Sequence, residues 1–491
     1  MFNSRRGALL AAVCLAGLGC AAPAFAETLA EAIALAYDSN PTLQAQRATQ
    51  RALDEGYVQA RTGYRPTLSA SVQGSYSETR TPGGVPQSGG VRLFGPIEDN
   101  SGSATFNLTQ PLFTGGRTAA AVSAAEADIL TGRENLRRIE SQVLANVITA
   151  YVDTRRDIEA LRIRQENVRV LERQLEESKA RFDVGEITRT DVAQSEARLA
   201  AAQFQFSQAQ SQLAISRANY AAVVGQNPGD LAPEPSLAAL MPTDVAQAFD
   251  AAENSSPQIR GAEYTQQASR ARLAGARAER MPSLALRGTV GWRGQADPLE
   301  TEDYARDVTG AAVLTVPLFT GGLTNSRVRA QIERNNVDRI GVETARRNVL
   351  QGLTQSWSQL IAARANIGSS DEQVRAARIA AEGTRQEQQV GLRTTLDVLN
   401  AEQELRSAEL AQVSARRDEY VAATNVLALM GRLEAPNLTP TVTRYDPKTN
   451  FSKLRFTWGW VPWEEPIAIV DGVLTPKPVE KPMEAAPTAP K

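Results

Sequence analysis

The sequence predicts a mostly α chain with a small β part, built as one unit written twice. Three observations predict it. Ordered motifs recur at a nearly constant offset. Two proline-free stretches of helix formers, 117–184 and 323–389, occupy matching places. Short segments with a period of two separate the helices.

The repeat fixes the organisation. Asn40-Pro41 recurs as Ser256-Pro257, and Arg65-Pro66-Thr67-Leu68 as Met281-Pro282-Ser283-Leu284, both 216 residues on. Pro111-Leu112-Phe113-Thr114-Gly115-Gly116 recurs unchanged at Pro317 to Gly322, 206 residues on. Val184-Gly185 and Asp191-Val192 recur as Val390-Gly391 and Asp397-Val398, again 206 residues on. A single ten-residue length difference therefore falls between Pro66 and Pro111. The long stretch after it without insertion implies continuous regular structure, because loops absorb length changes.

Residues 1–26 read as a secretory signal, with Arg5-Arg6, an apolar run from Ala8 to Ala22, and Ala24-Phe25-Ala26 before Glu27. A membrane anchor would need ~20 apolar residues. Lipidation at Cys20 is the other alternative, but Gly17-Leu18-Gly19 lacks the usual leucine three residues before the cysteine. Cys14 and Cys20 are the only cysteines, so a chain starting at Glu27 has no disulfide.

The first structural repeat, 27–243, reads as a helix from Thr28 to about Gly63, a strand pair near 67–112, a long helix 117–184 and a helix 188–224. The second, 244–435, reads as a helix from Asp244 to Arg280, a strand pair near 283–318, a long helix 323–389 and a helix 394–430. Val147, Leu161, Val168, Leu175 and Phe182 keep a seven-residue register, and Leu353, Leu360, Ile367, Val374 and Ala381 repeat it. That spacing is the mark of coiled coils. Each long helix spans ~100 Å, and two short ones laid end to end would match it.

In the strand pairs, Leu68, Val72, Tyr76, Phe106, Leu108, Leu286, Val290, Leu314 and Val316 fall on one face. Thr67, Ser71, Thr105, Asn107 and Thr315 fall on the other. Strands of ~10 residues with one apolar face suit a transmembrane β-barrel, although half-buried soluble hairpins share the pattern. The polar stretches Glu78–Gly102 and Arg293–Asp307 suit outward loops. Pro66, Pro111, Pro282 and Pro317 mark helix–strand transitions, or equally ordinary helix stops. Four strands cannot close a barrel, whose smallest examples have ~8. Two copies would give eight strands and three would give twelve.

Residues 436–491 hold 10 of the 25 prolines and read as a Pro-rich tail, disordered from Asp471 onward. Trp458, Trp460 and Trp463 read as packing around the helical body, with partner binding as the alternative.

Composition excludes whole classes of chemistry. With 53 basic and 55 acidic residues the net charge is −2, which excludes a strongly basic nucleic-acid footprint. Histidine is absent, so Ser-His-Asp triads and histidine zinc sites cannot form. No Gly-Lys pair occurs, so there is no P-loop. We expect no catalytic residue, metal or cofactor. A mean hydropathy of −0.30 excludes a polytopic helical membrane protein.

The doubled architecture, the repeated Pro-Leu-Phe-Thr-Gly-Gly, the Val-Gly-x-x-Thr-x-x-Asp-Val turns and the opening Leu29-Ala30-Glu31-Ala32-Ile33-Ala34-Leu35-Ala36 resemble the TolC family of outer-membrane efflux and secretion channels. The resemblance covers nearly all of Glu27 to Gly431. It implies a homotrimer whose twelve-stranded barrel crosses the outer membrane and whose α-helical barrel projects into the periplasm. It also implies a passive conduit that meets an inner-membrane transporter, ABC or proton-driven, through a periplasmic adaptor (membrane fusion) protein. Type I protein secretion is the first expectation, because the chain resembles the unlipidated, secretion-type members. Small-molecule or multidrug efflux is the alternative, and a purely structural periplasmic coiled coil a distant third.

The two turns hold the expected gate. Thr188-x-x-Asp191 and Thr394-x-x-Asp397 read as capping boxes. In a trimer, Asp397 would also form a ring of carboxylates that selects cations. Arg393 would tie its hairpin to Asp191 of a neighbouring copy. The resemblance places gating contacts at the second turn. Gln388 stands there where a tyrosine is usual, and Asn400 replaces a second aspartate. Gly185, Thr188, Gly391 and Thr394 form the tips, the candidates for adaptor docking.

Overall fold

A computed structural model describes residues 27–480, apart from 87, 91, 296–303, 440, 441, 455, 456, 458 and 474. The signal reading, Trp458 and the last residues of the tail lie outside the described residues.

The first repeat contains α1 (Leu29–Ser39), α2 (Pro41–Arg61), β1 (Thr67–Arg80), β2 (Val85–Pro86), β3 (Arg92–Leu93), β4 (Pro96–Phe113), α3 (Arg117–Asp183) and α4 (Arg189–Val224). The second contains α5 (Val245–Ser255), α6 (Pro257–Ala278), β5 (Ser283–Gln295), β6 (Ala305–Thr315), α7 (Leu323–Gln389) and α8 (Thr395–Leu429). The tail adds α9 (Ala435–Leu438), α10 (Lys448–Lys453) and α11 (Glu464–Asp471).

Each opening helix, read as one from Thr28 to Gly63 and from Asp244 to Arg280, is in fact two. Pro41 and Pro257 lack the N–H that would continue the helix and force the preceding residue into extended backbone. Asn40 accordingly sits at φ −63°, ψ 122°, and Ser256 at φ −61°, ψ 123°. Asn40 Oδ1 then accepts from the amides of Thr42 and Leu43, capping α2.

The breaks are also where the short helices stack. Asn40 Nδ2 donates to the Val223 carbonyl at 3.0 Å, so the residue that opens α2 also closes α4. At the end of α8, Gly431 (φ 69°) lies so close to α5 that a Cβ would clash with the Ser255 carbonyl. Each stack runs alongside a long helix: α3 packs against α2, α4, α6 and α8, and α7 against α6 and α8. The main core, with Ile33, Tyr37, Leu144, Ile148, Tyr151, Tyr220, Leu353, Leu360 and Leu427, lies around these junctions. Smaller clusters follow toward the turns: Val374, Ala377 and Ala381 with Leu405 and Ala408, then Leu171 and Ala202 with Leu399.

The seven-residue register buries Leu353, Leu360, Val374 and Ala381 in α7. In α3 it buries Val147 and Thr154, but Phe182 is 42% exposed and the buried line moves to Leu171 and Ser178. A helix near 3.6 residues per turn drifts off a strict heptad over this length.

The four long strands form an antiparallel sheet in the order β1-β4-β5-β6. The register opposes Leu68 to Leu108, Phe106 to Val290, Val290 to Val308 and Leu284 to Leu314. One face therefore collects the apolar residues. Across the other, Ser71 bonds to Thr105 at 2.6 Å, Ser75 to Ser101 at 2.8 Å and Thr289 to Asn107 at 3.1 Å. Strands β1 and β4 run further than expected: Arg80 pairs with Pro96, so much of Glu78–Gly102 is ladder rather than loop. Backbone pairing continues there without an apolar face to bury. Pro66 and Pro282 lie just before β1 and β5, and Pro317 just after β6. Pro111 lies inside β4, at a bulge, and the chain leaves that strand through Gly115 and Gly116, at φ 70° and 88°. Among the described residues, β1 and β6 each have one unpaired edge.

The tail is ordered further than its composition suggests. Ser123 Oγ donates to the Pro476 carbonyl, and the Val479 amide to Gln267 Oε1. Its firmest attachment is Asp471, which is 3% exposed. Helix α3 begins at Gly116, which has no side chain to cap it. Asp471 accepts from the amides of Thr114 (2.8 Å), Gly116 (3.0 Å) and Ala119 (3.3 Å), and from the Thr114 hydroxyl (2.7 Å). A carboxylate at a helix N-terminus satisfies free amides and meets the positive end of the helix dipole. Replacing Asp471 with Ala should destabilise the first turn of α3 by about 1–3 kcal/mol, since it strands buried donors. Hydrogen exchange should then quicken at residues 114–119 and not at the far end of α3.

Candidate functional site

The helix turns are built the same way twice. Gly185 (φ 81°) donates its amide to the Phe182 carbonyl at 2.9 Å, and Gly391 (φ 78°) to the Gln388 carbonyl at 3.0 Å. The next amides, Glu186 and Leu392, reach back to the Arg181 and Glu387 carbonyls. This left-handed glycine closure ends each long helix. Val184, Val390 and Leu392 are then left at the tips, 72%, 70% and 75% exposed.

Thr188 and Thr394 open the return helices as N-caps. The Thr394 amide donates to Asp397 Oδ2 at 3.0 Å, the Thr394 hydroxyl donates to the same oxygen at 2.8 Å, and the Asp397 amide donates to Thr394 Oγ1 at 3.2 Å. Thr188 and Asp191 repeat this geometry. Both are complete capping boxes. The hydrogen bonds from the Thr394 amide and hydroxyl hold the Asp397 carboxyl below its usual range, with Arg393 adding to them. Arg393 Nε donates to Glu387 Oε2 at 2.8 Å, which holds the guanidinium pKa above its ordinary value.

The expected gate residues are thus only partly brought together. Within one chain Arg393 pairs inside its own hairpin with Glu387; the Asp191 expected to meet it belongs to another copy. Gln388 is buried, 5% exposed, rather than lining open space. Asn400 does connect the hairpins: its Oδ1 accepts from Arg198 of α4 at 3.0 Å, and Arg198 also donates to Gln403. Arg198 escaped the sequence reading because the repeat places no basic counterpart to it in the second half.

A second group was legible only as solvated charge. Glu402 of α8, 3% exposed, pairs with Arg385 of α7 and with Arg406 at 3.5 Å. Arg406 goes on to Glu409 at 2.8 Å, and Arg378 joins Glu409 at 3.5 Å. At the 206-residue offset Arg385 and Glu402 answer to Lys179 and Glu196 of the first hairpin, which pair at 3.5 Å. The recurrence of a cation and a carboxylate seventeen residues apart at the repeat offset is the available signal. The arrangement can cap helices, hold two hairpins in register and present charge and apolar tips. It offers no nucleophile–base pair, and no group of acidic residues among the described residues could hold a metal.

Comparison with known proteins gives a consistent result. The sequence profile described as outer membrane efflux protein matches residues 32–226 and 248–432. The outer membrane efflux protein BepC of Brucella suis biovar 1 is 32% identical, over 93% of this chain and 97% of that protein. The outer membrane protein TolC of Escherichia coli is 26% identical over 84% of each. The alkaline protease secretion protein AprF of Pseudomonas aeruginosa is 26% identical over 82% of this chain and 83% of its own. Among solved structures, the open state of the Neisseria gonorrhoeae MtrE outer membrane channel matches with a TM-score of 0.69 at 21% identity, over 83% of this chain and 90% of that one. This likeness shows the shared fold.

The capping geometry predicts a pH response. A carboxyl with a depressed folded pKa contributes stability above its unfolded value and loses it as pH falls through the folded value. Asp397 should therefore titrate below the ordinary aspartate range. Protection factors at Thr395–Val398, corrected for the intrinsic pH dependence of exchange, should hold through the ordinary aspartate range and fall only at lower pH. In Asp397→Ala, exchange there should be fast throughout.

Proposed function

This chain belongs to the outer membrane efflux protein family, and on that premise we propose that three copies close into one passive export duct. It is an outer-membrane protein whose helical body lies on the periplasmic side. Its family consists of channels. The observation that carries the duct reading is the sheet: one apolar face, one polar face and two unpaired edges. Three such sheets give a twelve-stranded barrel with a wet lumen.

The substrate we propose is a protein handed over by a type I secretion machine, with an inner-membrane transporter and a periplasmic adaptor completing the path. The name of AprF, a secretion protein, supports this. Small-molecule efflux is the second reading, favoured by the name of BepC. A deletion strain separates them. Loss of a secreted protein from the medium supports the first, and sensitisation to hydrophobic drugs with secretion intact supports the second. The exposed Val184, Val390 and Leu392, carried on the turns of Gly185, Thr188, Gly391 and Thr394, are the surface we assign to the adaptor.

At the inner mouth, we assign Asp397 to a ring of carboxylates and Arg393 to a contact with Asp191 of the next copy, exchanged for Glu387 on opening. Arg393→Ala should raise single-channel conductance in planar bilayers. Asp397→Ala should weaken cation selectivity and block by polyvalent cations. Unchanged conductance and selectivity in intact trimers would leave both residues as parts of the turns alone.

The two faces of β4 allow a test at one depth. Phe106→Arg should cost about 2–4 kcal/mol near the bilayer midplane and reduce heat-resistant trimer in outer-membrane fractions. Thr105→Arg, its neighbour on the polar face, should assemble normally.

A further inference from the structure

Helix α11 has its polarity turned inside out. Two of its three acidic residues, Glu464 and Asp471, face the protein, and the third, Glu465, pairs with Arg61 at 3.0 Å with its side chain 41% exposed. Glu464, fully buried, pairs with Arg61 Nε at 2.5 Å and Arg65 Nε at 3.0 Å, where α2 gives way to β1. Asp471 caps α3, where β4 gives way to helix. Its outward side is apolar: Trp463, Ile469, Val470 and Val473 are 47%, 71%, 61% and 76% exposed. Trp463, Pro466, Val470 and Val473 recur at three- and four-residue steps, so they share one side. A surface helix in water is arranged the other way round.

The position of α11 identifies what covers it. Trp463 Nε1 donates to Gln110 Oε1 at 3.0 Å. Gln110 is opposed to Leu286 and so lies on the apolar face of the sheet, beside Leu108 and at the helical end of β4. The exposed side of α11 therefore continues the apolar band of Leu68, Leu108, Leu286 and Leu314. Strand β4 lies between β1 and β5, away from the free edges where another copy would join. Under α11, Leu112 and Phe113 are half-buried, whereas Leu318 and Phe319 of the identical second motif are 92% and 90% exposed.

We propose that α11 is a membrane-interface anchor. Its Trp463–Val473 side rests in the periplasmic leaflet of the outer membrane against phospholipid, and Glu464 and Asp471 fasten it to the helix–strand junction. Tryptophan with one apolar body and one polar tip suits that depth, and apolar helix faces bury themselves at the headgroup boundary. This inference rests on the outer-membrane reading.

A single environment-sensitive fluorophore tests it, placed in the full-length assembled protein with Cys14 and Cys20 processed away or replaced by serine. It is attached at Ile469→Cys, and in separate preparations at Val72→Cys on the sheet and at Glu186→Cys on the tip. Each is reconstituted in phosphatidylethanolamine–phosphatidylglycerol vesicles. At 469, quenching by lipids spin-labelled near the headgroup is expected, with iodide quenching at least about threefold weaker than at 186. Iodide quenching equal to that at 186 overturns the proposal. So does protection from iodide without quenching by any spin-labelled lipid, which would place a second copy over α11. If the label at 72 also escapes lipid quenching, the barrel reading falls with it. Lipid quenching at 72 but not at 469 removes the anchor alone.

Discussion

Two rows of unpaired backbone N–H and C=O groups, along β1 and β6, set what the rest of this protein must do. In hydrocarbon each unsatisfied group costs several kcal/mol, so an open sheet edge is not viable there. The only remedy is pairing with further copies until the sheet closes. The helices join the strands directly through Pro66, Gly115–Gly116 and Pro282, so closing the sheet arranges the helices around the same axis. Helix α7 shows the same need. Val337, Ile340, Ile361 and Ile379 are 67%, 62%, 56% and 62% exposed along it, whereas α3 is covered by four helices of its own chain. Sheet edges and helix faces thus call for one assembly.

The doubling of the sequence gives two similar halves in unequal surroundings. The first Pro-Leu-Phe-Thr-Gly-Gly is covered by α11 and its helix is capped by Asp471. The second is open, and Gly322 begins α7 without a side-chain cap. The tail is thus a device belonging to one half, and it breaks the internal symmetry at the membrane boundary. At the other end the halves stay alike, with the same glycine closure and the same capping box at both turns. The side chains there differ: Glu186 and Ile187 of the first turn answer to Leu392 and Arg393 of the second, and Arg198 answers to Glu404.

Much of this was readable because the physics is local. Proline-free runs of helix formers gave α7 to the residue and α3 to within one, and alternation gave the two faces of the sheet. Asn40-Pro41 and Ser256-Pro257 are visible as repeats, but a helical pattern on both sides of each proline reads equally as one continuous helix. Strands β1 and β4 were read too short, because backbone pairing persists where the side chains stop alternating. The site was less legible. Capping could be read from Thr-x-x-Asp, but the partners of Arg198, Glu402 and Asp471 depend on which helices lie side by side. Asp471 most of all could not be foreseen, since its amides lie more than three hundred residues away in sequence.

The central claim is that the free edges of β1 and β6 are closed by three copies. Native mass spectrometry of the detergent-extracted protein measures this directly. The account predicts one species containing three chains, which separates into single chains only when the β signature is lost on heating. Single chains or pairs that retain the sheet in detergent would contradict it.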